Sequence, residues 1–221
     1  MTKNNVFRGE NGALDFLNPH NHQTPLVEVP KKLNQYYDDG VHIFVKMLNF
    51  NPLMNVKSLP AYNMLSNASD EDLSKTNLVE DSSGNTAFSL AILANYFGFK
   101  KSRIMVAAKD VSRGKLQALL LAGAQVQAHD EPICPDPTDE NSGIYLAKQM
   151  GKTKNWFNPN QYANEENPKA HYKITAPQIY NQMEKDIQVF STGLGTSGTM
   201  VGCAKFLKEK IKTLKVVGSV R

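Results

Sequence analysis

Apolar positions along the chain follow two alternating periods. Short continuous or β-branched runs occur at Val41–Met47, Asn77–Val79, Arg103–Ala107, Gln125–Ala128, Ile187–Phe190 and Lys215–Gly218. Helical spacing holds at Ser58–Leu65, Thr86–Phe97, Ser112–Leu121, Ser142–Met150, Asn167–Met183 and Thr199–Ile211. Strands alternating with helices of this length predict parallel pairing and an α/β sandwich. Residues 1 to about 24 are polar, rich in Asn and Gly, and read as an arm or loosely packed extension. Two stretches interrupt the pattern. Glu131–Asn141 is acidic and carries three prolines, so it reads as a loop. Gly151–Asn167, which holds the single tryptophan Trp156, is long and irregular, and the sequence places a domain junction near it.

Chemistry concentrates in two turns and one lysine. The run Ser191-Thr192-Gly193-Leu194-Gly195-Thr196-Ser197-Gly198-Thr199 sits between a strand pattern and a helix pattern. A helix N-terminus preceded by glycines offers unpaired N–H groups and a positive dipole end to an anion. On spacing alone, Gly193, Gly195 and Gly198 also satisfy a dinucleotide fingerprint. That fingerprint wants an acid at the end of the next strand, and Val217-Gly218-Ser219-Val220-Arg221 supplies none. The second turn is Glu80-Asp81-Ser82-Ser83-Gly84-Asn85-Thr86, where Ser83, Asn85 and Thr86 can cap a helix and leave N–H groups for an anion. Alone, such a turn reads equally as an ordinary capped helix start. Lys57 lies among Leu53, Met54, Val56 and Leu59, before a helix that Ser58 can cap and Pro60 can open. Desolvation makes a lysine amine nucleophilic toward carbonyls, whereas without context Lys57 is one of 25 basic residues.

Composition narrows the class. With 221 residues, 41% hydrophobic and 21% charged, the chain has the make-up of a globular protein of one large or two small domains. A net charge of +4 is spread without a basic cluster interleaved with aromatics, which argues against nucleic acid as a partner. The two cysteines, Cys134 and Cys203, have no metal-ligand spacing and suggest a reducing compartment. The N-terminus lacks an apolar core of signal-peptide length and no run is long enough to cross a membrane, so the chain reads as cytoplasmic. His20 and His22 form a His-Asn-His pair in the polar arm with no third ligand nearby, and read as disordered rather than metal-bound.

Taken together, the lysine and the two turns resemble the fold-type II pyridoxal-phosphate (PLP) enzymes of the cysteine synthase and cystathionine β-synthase group. The family's TPL segment is similar to Thr24-Pro25-Leu26, and its NP…VK segment to Asn51-Pro52 through Val56-Lys57. Its TSGNT loop is similar to Ser82-Ser83-Gly84-Asn85-Thr86, its GTGGT cup to Gly195-Thr196-Ser197-Gly198-Thr199, and its QY…NP…H stretch to Gln161-Tyr162, Asn167-Pro168 and His171. The resemblance implies two three-layer α/β domains of the tryptophan-synthase-β-like architecture. Residues 1–47 would form the arm and first part of a large PLP domain, 48–159 a smaller substrate-loop domain, and 160–221 the continuation of the large domain.

Carried over residue by residue, the resemblance implies that Lys57 holds PLP as a Schiff base and that Asn85 bonds its phenolic oxygen. Gly195, Thr196, Ser197, Gly198 and Thr199 would hold the phosphate, and Ser82, Ser83, Gly84, Thr86 and Gln161 the substrate carboxylate. The implied reaction is β-replacement or β-elimination on a serine- or cysteine-like amino acid, with a thiol or sulfide as nucleophile. The alternatives are a truncated, non-catalytic relative and an NAD(P)-dependent oxidoreductase. Departures from the family pattern are Asn55 for its usual Ser, Ser58 and Leu59 for its usual Asp-Arg, and Ser197 for the third Gly of the cup. The family also continues past the position of Arg221, and from there supplies a hydroxyl facing the pyridine nitrogen. A homodimer is implied where that C-terminal part is present or supplied.

Overall fold

A computed structural model describes residues 6–82, 84–107, 111–129 and 138–220. Ser83 and Cys134 therefore lie outside the described residues. In chain order the elements are α1 (Gly12–Leu17), β1 (Leu26–Glu28), β2 (Phe44–Lys46), α2 (Ser58–Ser66), α3 (Asp70–Leu73), β3 (Asn77–Asp81) and α4 (Asn85–Tyr96). They continue as β4 (Lys101–Ala107), α5 (Arg113–Leu121), β5 (Ala124–His129), α6 (Gly143–Gly151) and β6 (Trp156–Phe157). The last are α7 (Glu166–Ala170), a π-wound turn (His171–Thr175), α8 (Ala176–Gln182), β7 (Val189–Gly193), α9 (Gly198–Lys210) and β8 (Lys215–Ser219). The chain divides into two compact units, Met1–Val56 with Ala170–Arg221, and Lys57–Lys169.

The unit Lys57–Lys169 is built on a four-stranded sheet in the order β5-β4-β3-β6, parallel at every pairing. Strand alternation assigns its two faces. Ile104 and Val106 of β4 pack with Ala87 and Ala91 of α4 and Leu119 of α5. Val79 and Met105 face the other way, onto Ala147 of α6. Helices on both faces make three layers, and β3, buried on both sides from Leu78 to Asp81, reads as an unbroken run for that reason. Register puts Glu80 beside Ile104, on the face of α4, and Asp81 beside Met105, on the face of α6. There Asp81 Oδ1 meets His129 Nε2 at 3.3 Å, and Gly143, the first residue of α6, leaves no room for a Cβ against either side chain.

The other unit holds two small sheets: β1 and β2 antiparallel, and β7 and β8 parallel with α9 as their crossover. Its core gathers Ala176 and Ile179 of α8, Ile187, Phe190 of β7, Cys203 and Leu207 of α9, and Leu214. Lys46 ties this unit together. Its ammonium donates to the Thr24 carbonyl at 2.6 Å, Gln178 Oε1 at 2.8 Å and Gln182 Oε1 at 2.7 Å. The Thr-Pro-Leu segment is thereby fastened to α8.

Several expectations are corrected. The first 24 residues are not a loose arm where they are described: α1 forms, and the His22 ring packs on Phe16 at 5.5 Å while its Nε2 meets the Phe16 carbonyl at 2.6 Å. The β1–β2 pair is antiparallel, against the parallel pairing expected throughout. Trp156 and Phe157 form the edge strand β6 within the irregular stretch, with Phe157 stacked on Phe99 and the Arg103 guanidinium over Trp156. The helix expected over 167–183 is interrupted by the π-wound turn. Pro177 accounts for that: it cannot donate to the Lys173 carbonyl and its ring crowds the preceding turn.

Candidate active site

The expected site residues fall into two groups, one in each unit. Lys57, Ser82, Gly84, Asn85, Thr86 and Gln161 belong to the unit Lys57–Lys169. Gly195, Thr196, Ser197, Gly198 and Thr199, with His171, belong to the other.

Lys57 stands at the N-cap position of α2, and its carbonyl accepts the first helical bond from Ala61 at 3.0 Å. Ser58 is thus the first helical residue and not the cap, and Pro60 sits in the first turn, where a missing N–H is harmless. Burial lowers the pKa of the Lys57 amine, against the opposing pull of Glu80. The dipole of α2 adds to the burial effect, since its N-terminal end opposes a cation. Desolvation favours the neutral amine, which is the form that attacks a carbonyl. Asn55, two residues earlier, is buried and turns its amide onto the Leu53 carbonyl at 2.6 Å.

The second turn opens α4. Its first helical bond runs from Phe88 N to the Gly84 carbonyl at 3.1 Å, so the N–H groups of Asn85, Thr86 and Ala87 have no intrahelical acceptor. The N-cap is Gly84 and makes no side-chain cap bond, so the capping expected of Asn85 and Thr86 does not occur. Asn85 is exposed, and a Cβ on Gly84 would meet nothing within 4 Å. The turn opens onto space.

Glu80 and Gln161 lock the floor of that turn. The Gln161 amide donates from Nε2 to the Asp81 carbonyl at 3.1 Å, which leaves Oε1 facing Thr86, whose hydroxyl donates to it at 2.6 Å. Thr86 therefore offers an anion its backbone N–H and not its hydroxyl proton. Glu80, 1% exposed, accepts the N–H of Asp81 at 3.1 Å and of Gln161 at 3.3 Å. Its burial pushes the carboxyl pKa up to about 8 despite those donors. No role for Glu80 is expected from the sequence. An acid inside the apolar run Leu78-Val79-Glu80, just ahead of the turn, was the available signal.

In the other unit, Ser197 caps α9 in the left-handed region, with φ at 62° and no side-chain cap bond. The first bond of α9 runs from Val201 N to the Ser197 carbonyl at 2.9 Å, so the N–H groups of Gly198, Thr199 and Met200 precede the ladder. A Cβ on Gly195 would meet nothing within 4 Å, so the loop is open where a phosphate would approach. His171, 1% exposed, bridges two hydroxyls: its Nδ1 lies 3.0 Å from Thr175 Oγ1 and its Nε2 3.2 Å from Thr199 Oγ1. His171 thus joins the π-wound turn to the head of α9, a link that the sequence pattern does not announce. β8 ends at Ser219 with no acid to hold a ribose. Among the described residues no group of His, Cys, Asp and Glu could hold a metal ion, and no helix is long and apolar enough to cross a membrane.

The unit Lys57–Lys169 thus carries a desolvated lysine and an open helix N-terminus, and the other unit carries a second open helix N-terminus. Comparison with known proteins finds relatives. Cysteine synthase B of Campylobacter jejuni is 30% identical over 198 residues, covering 88% of this chain and 62% of that protein. Cystathionine beta-synthase of Apis mellifera is 32% identical over 203 residues, covering 88% of this chain and 38% of that one. A hydrogen sulfide-producing enzyme from Fusobacterium nucleatum, of solved structure, superposes with a TM-score of 0.77 at 30% identity, covering 92% of this chain and 64% of that one. The chain thus spans less than two thirds of the length of each. Residues 17–220 match the family described as pyridoxal-phosphate dependent enzyme, and the chain belongs to that family.

Proposed function

We propose that the chain performs PLP-dependent β-replacement or β-elimination on a serine- or cysteine-like amino acid, as a cysteine synthase does. The observation that carries this reading is Lys57: a desolvated amine at the head of α2, in the same unit as the open Gly84–Thr86 turn. When bound, PLP supplies an electron sink for the carbanion formed at the substrate Cα. Lys57 Nζ would hold the cofactor at its aldehyde carbon and, as a free amine, would take the substrate's α-proton. The N–H groups of Asn85 and Thr86, with Ser82, Ser83 and Gly84, hold the α-carboxylate against the α4 dipole. Gln161 contributes by fixing Thr86 and through the second proton of its amide. Asn85, whose side chain is exposed, would hold the cofactor through its phenolic oxygen. Gly195, Thr196, Ser197, Gly198 and Thr199 hold the phosphate at the head of α9. The incoming nucleophile is a thiol or sulfide.

Colour tests the reading. The purified chain mixed with PLP is expected to gain visible absorbance that Lys57→Ala abolishes. A shift of that band with O-acetylserine and not with serine selects cysteine synthesis, and the reverse selects cystathionine-type chemistry. A band without turnover of either amino acid marks a non-catalytic member of the family. A chain that stays colourless rejects the reading.

A further inference from the structure

The π-wound turn brings a buried imidazole against the head of α9, and this contact reaches beyond ordering its own helix. We propose that His171 is a positioning residue that sets the direction of the Thr199 hydroxyl: with the ring proton on Nε2, it donates to Thr199 Oγ1 and leaves that hydroxyl's own proton for an anion at the start of α9. The proposal rests on the reading of residues 195–199 as the phosphate loop.

The argument is one of proton placement. Thr199 Oγ1 has one proton and can accept as well as donate. A phosphate at the head of α9 only accepts, so a hydroxyl that serves it must donate to it. Thr199 must then accept from His171 Nε2, 3.2 Å away. In a neutral imidazole one nitrogen donates and the other accepts. Nδ1 is then the acceptor, and Thr175 Oγ1, 3.0 Å away, donates to it. In the opposite arrangement Thr199 donates to Nε2, and only its lone pairs face the anion. The wider π turn matters here. His171 and Thr175 are four residues apart and both buried, so the ring is gripped on one nitrogen while the other reaches α9. π-wound turns are often found at functional sites.

Two measurements on the full chain test this. The first is the nitrogen-15 chemical shifts of the His171 ring, assigned by loss of the signal in His171→Gln and followed as inorganic phosphate and then PLP are added. The expected result is a single tautomer with the proton on Nε2 in the loaded protein. A loaded protein with the proton on Nδ1 overturns the proposal. The second is PLP affinity from equilibrium dialysis, with folding checked by circular dichroism. His171→Leu is expected to bind about tenfold more weakly, the scale of one charge-assisted hydrogen bond. His171→Gln, whose amide can donate in place of Nε2, is expected to recover most of that loss. In a Thr199→Val background, His171→Leu should cost nothing further. Equal affinity for wild type and His171→Leu, or an undiminished effect of His171→Leu in the Thr199→Val background, overturns the proposal alone. A wild type that binds neither phosphate nor PLP takes down both the cofactor reading and this proposal.

Discussion

The two units are stabilised in different ways. In Lys57–Lys169, a parallel sheet lies between helices, and the central strand β3 buries Leu78, Val79, Glu80 and Asp81 in succession. In the other unit the β7–β8 ladder is only half covered, with Val189 and Val217 each more than half exposed. The turns that open α4 and α9 mirror this contrast. The turn at Gly84–Thr86 rests on a buried polar floor of Glu80, Gln161 and Thr86. The loop at 195–199 meets His171 at Thr199 and holds Ser197 in a left-handed conformation. Where the packing is deep, a site is held by buried polar groups whose burial is costly; where it is shallow, it is held by local backbone geometry. Each kind of support predicts a different response to mutation.

The largest effect is expected from the buried acid. Glu80 keeps its proton in the folded state up to about pH 8, whereas an unfolded glutamate loses it near 4.5. Between those values the folded chain binds more protons than the unfolded one, so stability falls as pH rises through that window and levels off above it. A shift of this size corresponds to at most about 5 kcal/mol. Chemical denaturation at a series of pH values is expected to show the wild type losing its advantage over Glu80→Gln as pH climbs from 5 to 8. A difference that stays constant across that range would mean that Glu80 is ionised in the fold, and the contrast between the units would lose its electrostatic half.

The packing half of the contrast is tested by a matched pair. Leu78 is 0% exposed and Val217 is 51% exposed, and both lie in parallel strands. Truncating the buried leucine removes its transfer free energy and leaves a cavity, so Leu78→Ala is expected to cost about 3 kcal/mol. Val217→Ala is expected to change stability by less than about 0.5 kcal/mol. A large loss in Val217→Ala would reveal that something covers the β7–β8 face in solution, and the oligomeric state would then be the next measurement.

The same contrast explains what could be read from the sequence. The lysine and both turns were legible because each depends on residues adjacent in the chain: an apolar setting around Lys57, hydroxyls and glycines before α4, glycines before α9. The strand and helix centres followed from period alone: β3, β4, β5 and β8 contain the runs expected of them, while β7 begins at Val189, two residues after the start of its expected run. What escaped were contacts made across long sequence separations. Thr86 meets Gln161, Asp81 meets His129 and Thr199 meets His171, and no local pattern announces any of them. β6 escaped because two residues are too few to show a period. β2 lies inside the expected run Val41–Met47, but its antiparallel pairing escaped because its partner β1 is only three residues long.

The smallest effect concerns Ser197, where the sequence already departs from its family. A left-handed conformation costs a residue with a Cβ roughly 1–2 kcal/mol, and glycine almost nothing. Glycine also loses more freedom on folding, which offsets about half of that gain. Ser197→Gly is therefore expected to stabilise the full chain by about 0.5–1 kcal/mol in urea denaturation. Because Ser197 makes no side-chain cap bond to α9, no hydrogen bond of that kind is lost in exchange. The variant also removes the one Cβ at the cap position, so PLP affinity should rise or stay level. If Ser197→Gly instead destabilises the chain and weakens PLP binding together, the hydroxyl is part of the phosphate loop, and this loop depends on side-chain support as much as the turn at Gly84–Thr86 does.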